Sequence, residues 1–294
     1  MPMLSKLSLS IGLLGLIYAC TKETPIPSYI YLEEIKFQPQ NSTTQGGTTS
    51  KILDAWIWVD DQLIGANTLP MTIPILHNDE TSRNSIKIAA GIKDNGIGNT
   101  RLAYPFYARY EISRNLEGGK TDTLSPIIGY NDATEIIVVD NFENPGVVFG
   151  HDVDNNPETD IIKIASGALE GNYSGKFVFS ETEAVCELAT SVQYPKDEIQ
   201  PPSLGASAVY LELDYQTNVP LFIGLGTYYR GQLSNINYQL GLNPQASWNK
   251  VYINLTEEVL ATNADSYVIG MKASKNDSIS SPQILVDNIK LLHY

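Results

Sequence analysis

From residue 134 to the C-terminus the chain falls into roughly eight to ten short apolar stretches of period two, parted by turns, with no long helical period. Period two sends alternate side chains to opposite faces of a strand, so each stretch offers one apolar face to a core. Residues 209–215 alternate cleanly, with Val209, Leu211 and Leu213 against Tyr210, Glu212 and Asp214. Residues 221–229, 236–242, 250–255, 267–273 and 284–292 continue the series. Such a series folds as an antiparallel sandwich or jelly roll. No internal repeat is visible.

The first half is also read as β. Residues 29–39 carry Ile30, Leu32, Ile35 and Phe37 with a register break at Glu33-Glu34. Residues 54–65 read as a hairpin, β-branched and aromatic residues flanking a turn at Asp60-Asp61. Pro70, Pro74 and Pro105 favour edges and turns. The polar stretch 118–132 is the best domain boundary. The expected organisation is a signal peptide over 1–19, a tether over 20–28, an Ig-like β domain over 29–122 and a jelly roll over 134–294.

The apolar run 7–19 is too short for a membrane helix of ~20 residues but suits a signal-peptide core. It ends at Cys20. Ile17-Tyr18-Ala19-Cys20 resembles the lipobox of bacterial lipoproteins, although Tyr18 stands where a small residue is usual. That resemblance implies cleavage before Cys20 and acylation of its sulfur and of the new amino terminus. Glu23 just beyond looks like the signal that sends some gram-negative lipoproteins to the cell exterior, so the expected place is the outer membrane, lipid-anchored and exposed at the cell surface. An ordinary secretory signal ending near a cysteine is the alternative. Several acyl chains make a stable anchor. With Cys20 lipidated, Cys186 has no partner. The formal charge of −14 excludes nucleic acid as a partner and leaves the lipid as the only membrane attachment.

Two further resemblances bear on fold. Val59-Asp60-Asp61-Gln62-Leu63-Ile64-Gly65 resembles the hairpin of the PEGA domain, a small β-sandwich of bacterial surface proteins, with Asp61 in place of its glycine. The second half resembles the galactose-binding-like jelly roll shared by many carbohydrate-binding modules. The likeness is carried by Val139-Asp140-Asn141-Phe142-Glu143, Tyr173-Ser174-Gly175-Lys176, the segment 248–255 and Ile284-Leu285-Val286-Asp287-Asn288-Ile289. It implies a structural Ca²⁺ between the opening and closing strands, held by Glu143 and Asp287 and less surely by Asp140, oxygen donors of the kind calcium takes. The alternative is that these acids cap turns.

Other constellations are weaker. Asp152, Asp154 and Asn156 begin like a calcium loop, but Pro157 and Lys163 occupy the positions of its glycine and bidentate glutamate, so a solvated acidic loop is the better reading. Cys186 alternates with Leu188 and is expected in the core. The aromatic cluster Tyr104-Pro-Phe-Tyr-Ala-Arg-Tyr110 is expected to pack on its own sheet or on the next domain rather than to serve as a contact surface.

The strand faces opposite the core gather Tyr210, Glu212, Tyr228, Arg230, Asn237, Gln239 and Tyr252, with a glycine trough at Gly224 and Gly226. If those strands share a sheet, they line one surface suited to stacking and hydrogen-bonding a sugar; the ordinary wet face of a sandwich is the alternative. The expectation is a non-catalytic glycan-binding module on a β-sandwich stalk. A structural or adhesion subunit binding another surface protein comes second, and a glycan-active hydrolase third.

Overall fold

The computed structural model describes residues 26–76, 83–181, 184–199, 208–275, 279 and 281–294. The signal and lipidation motifs lie outside them. Among the described residues, no helix is long and apolar enough to cross a membrane. The chain forms two β-sandwiches.

In the first, β1 (Ser28–Leu32) pairs antiparallel with β5 (Met71–Ile75) and parallel with β9 (Thr121–Leu124). The facing sheet orders β4 (Gln62–Thr68), β3 (Asp54–Val59) and β6 (Arg83–Lys93), with β7 (Arg101–Ala103) and β8 (Tyr110–Asn115) both on β6. Alternation sets the core: Ile30 and Leu32 from β1, Ile73 and Ile75 from β5, Ile86 and Ile88 from β6. The β3–β4 turn is where the sequence puts it. Asp60 and Asp61 both take positive φ, 49° and 62°, as a two-residue hairpin turn requires. Asp60 then accepts from Asn84 Nδ2 and Ser85 N, both at 2.8 Å.

The boundary lies later than the sequence suggests. Residues 118–132 hold β9 and β10 (Ile127–Ile128), and β10 pairs with β2 (Lys36–Phe37). Tyr130 bridges to Tyr107 and is buried. A polar, turn-rich composition masked two very short strands whose pairing is non-local.

The second sandwich has two antiparallel sheets. Its first sheet runs β13 (Asp160–Ile164), β14 (Ser174–Val178), β22 (Ile284–His293), β17 (Tyr210–Thr217) and β20 (Gln245–Asn254), with β11 (Glu135–Asp140) on β22. Its second sheet runs β12 (His151–Asp152), β15 (Val185–Ala189), β21 (Ser266–Ser274), β18 (Leu221–Tyr229) and β19 (Gln232–Leu242), with β16 (Tyr194–Pro195) on β21. Leu211, Leu213, Ile289 and Leu291 from the first sheet meet Ile223, Leu225, Ile269 and Met271 from the second. Three short helices complete the described residues: α1 (Ser42–Gln45), α2 (Lys196–Ile199) and α3 (Thr256–Ala261).

One feature of burial positions everything that follows. β17 and β22 are buried on both faces. Their inner face meets the second sheet, and their outer face lies under the first sandwich.

Candidate functional site

The polar outer face of the first sheet is closed. Tyr210, Glu212 and Tyr252, expected on an open surface, are 2%, 0% and 2% exposed. The aromatic cluster of the first domain covers them. Tyr104 Oη donates to Glu212 Oε1 at 2.9 Å and Tyr130 Oη to Glu212 Oε2 at 3.0 Å. Tyr107 and Tyr252 share a 2.9 Å hydroxyl contact. Tyr104 packs edge-on against Tyr210 and Tyr252.

Lys250 lies 3.2 Å from Glu212 and 3.6 Å from Asp214. Burial works against the Lys250 charge, but Asp214 and Glu212 together outweigh it and hold the ammonium above its ordinary range. Lys290 donates to Tyr130 Oη and to the Gly47 carbonyl. Burial first, then the charge of Lys250, pushes Lys290 down to about 8. Tyr104, Tyr107 and Tyr130 are raised well above 10, chiefly by burial. Two lysines and two acids thus sit in a dry, cross-bonded layer. It is a domain joint, and it binds no outside ligand without opening.

Tyr228 is not where an outward stacking residue belongs. It is 9% exposed and packs with Ala189, Ile236 and Val268. The glycine trough is filled: a Cβ on Gly224 would lie 2.5 Å from the Asn237 carbonyl oxygen, and one on Gly226 2.7 Å from Val268 Cγ2. The close neighbours, strand backbone at Gly224 and side chains at Gly226, leave no room there for a sugar ring. Arg230 sits at the exposed β18–β19 turn with φ 51°, its amide bonded to Asp265 Oδ2.

Asn237 and Gln239 lie on the other face of the second sheet. Gly224 opposes Tyr238, Leu225 opposes Asn237 and Gly226 opposes Ile236, so Asn237 shares the face of the core residue Leu225. The ladder slips between Ile223 and Gly224, which leaves Gln239 as the extra residue of a β-bulge. Here the sandwich opens at its edge, and α3 forms the opposite wall. The result is a cleft of 280 Å³ lined by Leu225, Thr227, Asn237, Gln239, Glu257, Glu258, Ala261 and Thr262. Both polar atoms of the Gln239 carboxamide are shielded and without a partner, and so is Glu258 Oε2. Of the seven residues expected to bind glycan, Tyr210, Glu212 and Tyr252 come together under the first domain, and Asn237 and Gln239 come together in an open cleft. Thr227, Glu257, Glu258 and Thr262 were missed. Glu257-Glu258 gave no signal beyond an acidic dipeptide, because only the fold brings α3 to β19.

The three acids expected to hold calcium do not converge as a cage. Glu143 accepts from the amides of Asn172 and Tyr173 and from Asn172 Nδ2. Asp287 Oδ2 accepts from the amides of Leu169 and Glu170 at 3.3 and 3.5 Å. Asp140 bonds the amides of Phe142 and Val148. The donor types are those calcium takes, but N–H groups occupy them, so as arranged they do not fit an ion. Among the described residues there is no metal-binding group of three or more His, Cys, Asp or Glu. The acidic loop 151–160 is braced internally, with Asp154 accepting from Asn156, Thr159 and Glu187. Cys186 is fully buried, and burial pushes its thiol up to about 12, too high for a thiolate nucleophile.

No family model matches the chain. No curated protein matches it. Solved structures to which the chain shows some similarity include the CBM22-1 xylan-binding domain of Paenibacillus barcinonensis Xyn10C, 14% identical over 55% of this chain and 97% of that one, with a TM-score of 0.36. The family 11 carbohydrate-binding module of Clostridium thermocellum Lic26A-Cel5E is 12% identical over 54% and 95%, with a TM-score of 0.38. A structure solved to explain promiscuous specificity in carbohydrate-binding modules of the β-sandwich superfamily is 13% identical over 92% and 99%, with a TM-score of 0.36. Likenesses this low carry neither ligand nor activity to this chain. The jelly-roll sandwich itself is plain from the strand order.

Proposed function

We propose that this protein is a non-catalytic glycan-binding lipoprotein whose site is the cleft between β19 and α3. One observation carries the proposal: the bulged Gln239 presents an amide donor and an acceptor, both shielded and both unmet, to a cleft that also holds the unmet Glu258 Oε2. An unmet buried polar group costs ~1–3 kcal/mol. Sugar hydroxyls both donate and accept, so a glycan answers these atoms once the Gln239 and Glu258 side chains turn out into the cleft. Leu225 and Ala261 offer an apolar floor to the ring.

The anchor belongs to the same proposal. Lipid on Cys20 and a short tether would set the first sandwich near the outer membrane surface, with the jelly roll beyond it. Cys20→Ala should abolish lipid labelling and release the protein from membranes; unchanged labelling sinks the anchor. A structural Ca²⁺ at Glu143 and Asp287 requires the loop 169–173 to turn its N–H groups away from both carboxylates.

A second reading, adhesion to another surface protein, draws on Phe222 and Tyr229, 39% and 40% exposed on β18. A glycan array with residues 21–294, followed by titration calorimetry, separates the two. A glycan ligand is expected to bind with a dissociation constant of ~10 µM to ~1 mM. Gln239→Ala should weaken it about tenfold, the equivalent of ~1.4 kcal/mol, while leaving the melting temperature level or slightly raised. Unchanged affinity in that variant places the site elsewhere. Release of reducing sugar from the bound glycan would point to the hydrolase.

A further inference from the structure

A larger cleft, 320 Å³, lies where the two sandwiches meet. Lys51 and Lys93 enter it from the first domain, and Asn243, Gln245 and Asn249 from the second. Lys250 forms part of its wall, and no acid lines it. The chain has 33 acidic and 19 basic residues, so a cleft lined by three lysines and no acid runs against its composition.

Two of these three charges are not spent elsewhere. Lys250 is already committed to Glu212 and Asp214. Lys51 bonds only the neutral Asn249 Oδ1 through its ammonium. Lys93 makes no ion pair among the described residues. Asp94, next in sequence, turns to the other side, where it accepts from Asn254 Nδ2 at 3.5 Å. Lys51 is held below its ordinary pKa by burial and then by the charge of Lys93, the mark of two cations kept near each other without an anion.

The walls are also fixed. The Asn95 amide donates to the Tyr252 carbonyl and the Asn254 amide to Asn95 Oδ1, each at 2.9 Å. The Lys51 amide donates to Tyr252 Oη at 2.9 Å. These three bonds cross the domain joint, so the backbone that carries Lys51 and Asn95 is fixed against the second domain before any ligand arrives, which lowers the cost of binding.

We propose that this cleft binds a carboxylate-bearing sugar, a hexuronate residue of an acidic polysaccharide. The two free lysines take the carboxylate, and the three amides take the hydroxyls. This site is separate from the β19–α3 cleft and stands or falls on its own.

The test is titration calorimetry of residues 21–294, which contain every described element. The ligands are short oligomers of galacturonate, glucuronate and mannuronate, the methyl ester of the one that binds, and inorganic phosphate. At least one acid oligomer should bind, its ester about tenfold more weakly, and added salt should weaken the acid alone. Lys93→Gln should lower the affinity about tenfold with an unchanged melting temperature, and Lys51→Gln should do the same. Lys36→Gln, an equal charge change at a remote surface lysine, should have no effect. Binding by none of the oligomers overturns the proposal, as does equal affinity for acid and ester. Phosphate binding as tightly as the oligomer overturns the sugar assignment. Unchanged affinity in both lysine variants overturns the location.

Discussion

The domain joint and the β19–α3 cleft are built from the same kind of material and end in opposite states. Each gathers amides, hydroxyls and acids on strands whose alternate residues fill a core. At the joint, Tyr104, Tyr107 and Tyr130 descend on the polar face, and both oxygens of Glu212 are met by hydroxyls while Lys250 offsets its charge. In the cleft nothing descends, and Gln239 and Glu258 keep unmet atoms. Polar residues on a strand become structure when a neighbouring domain satisfies them. They remain free for a ligand when only a helix edge approaches. The difference lies in what covers the strand, which the strand's own sequence does not contain.

The joint gives the largest expected effect. Glu212→Ala would leave Lys250 with Asp214 alone and strip two tyrosine hydroxyls of their acceptor. Breaking one side of a buried pair costs ~3–5 kcal/mol, to be read from denaturant unfolding. A loss under ~1 kcal/mol would mean that water reaches the joint and that it behaves like the cleft.

Tyr228→Ala comes next. A mostly buried aromatic packed against Ile236 and Val268 should cost on the order of 2–4 kcal/mol when removed. An outward stacking residue would cost little, so a stability change near zero would restore Tyr228 to an open binding face.

Much of the fold was legible in the sequence. Period two located β17, β18, β20, β21 and β22, because each buries a long apolar face, and paired aspartates marked the β3–β4 turn. The candidate site was legible only in part. Tyr210, Glu212 and Tyr252 do face away from the jelly-roll core, as alternation says, but the partner surface comes from residues 104–130, far upstream in the chain. Asn237 and Gln239 were placed on the wrong side because a bulge shifts register by one, and one residue flips every side chain beyond it. Pattern carries the period of a strand; it does not carry the point where the pairing slips.

Asp287 sharpens the comparison through pH. Burial is the main cause that raises its carboxyl to about 7. In the unfolded chain it ionises near 3.8, so between those values the folded state holds a proton that the unfolded state has released. Its contribution to stability is therefore present at low pH and lost as pH rises toward 7, by up to about 4 kcal/mol. Asp287→Asn should remove that slope. Parallel stability curves for wild type and variant from pH 4 to 8 would show that the group titrates normally.

The smallest effect expected is that of calcium. An ion at Glu143 and Asp287 must displace the amides of the loop 169–173 and needs Asp287 ionised, so it competes with hydrogen bonds already made and with a proton below pH 7. Sites in extracellular modules bind in the range ~0.1–1 mM. At 1 mM Ca²⁺ mass action then gives about 0.4–1.4 kcal/mol, visible as a small rise in melting temperature at pH 8 that fades by pH 6. Asp287→Ala should remove the rise. Coincident melting curves with chelator and with Ca²⁺ at pH 8 would leave Glu143 and Asp287 as loop caps, bonded internally as Glu212 is at the joint.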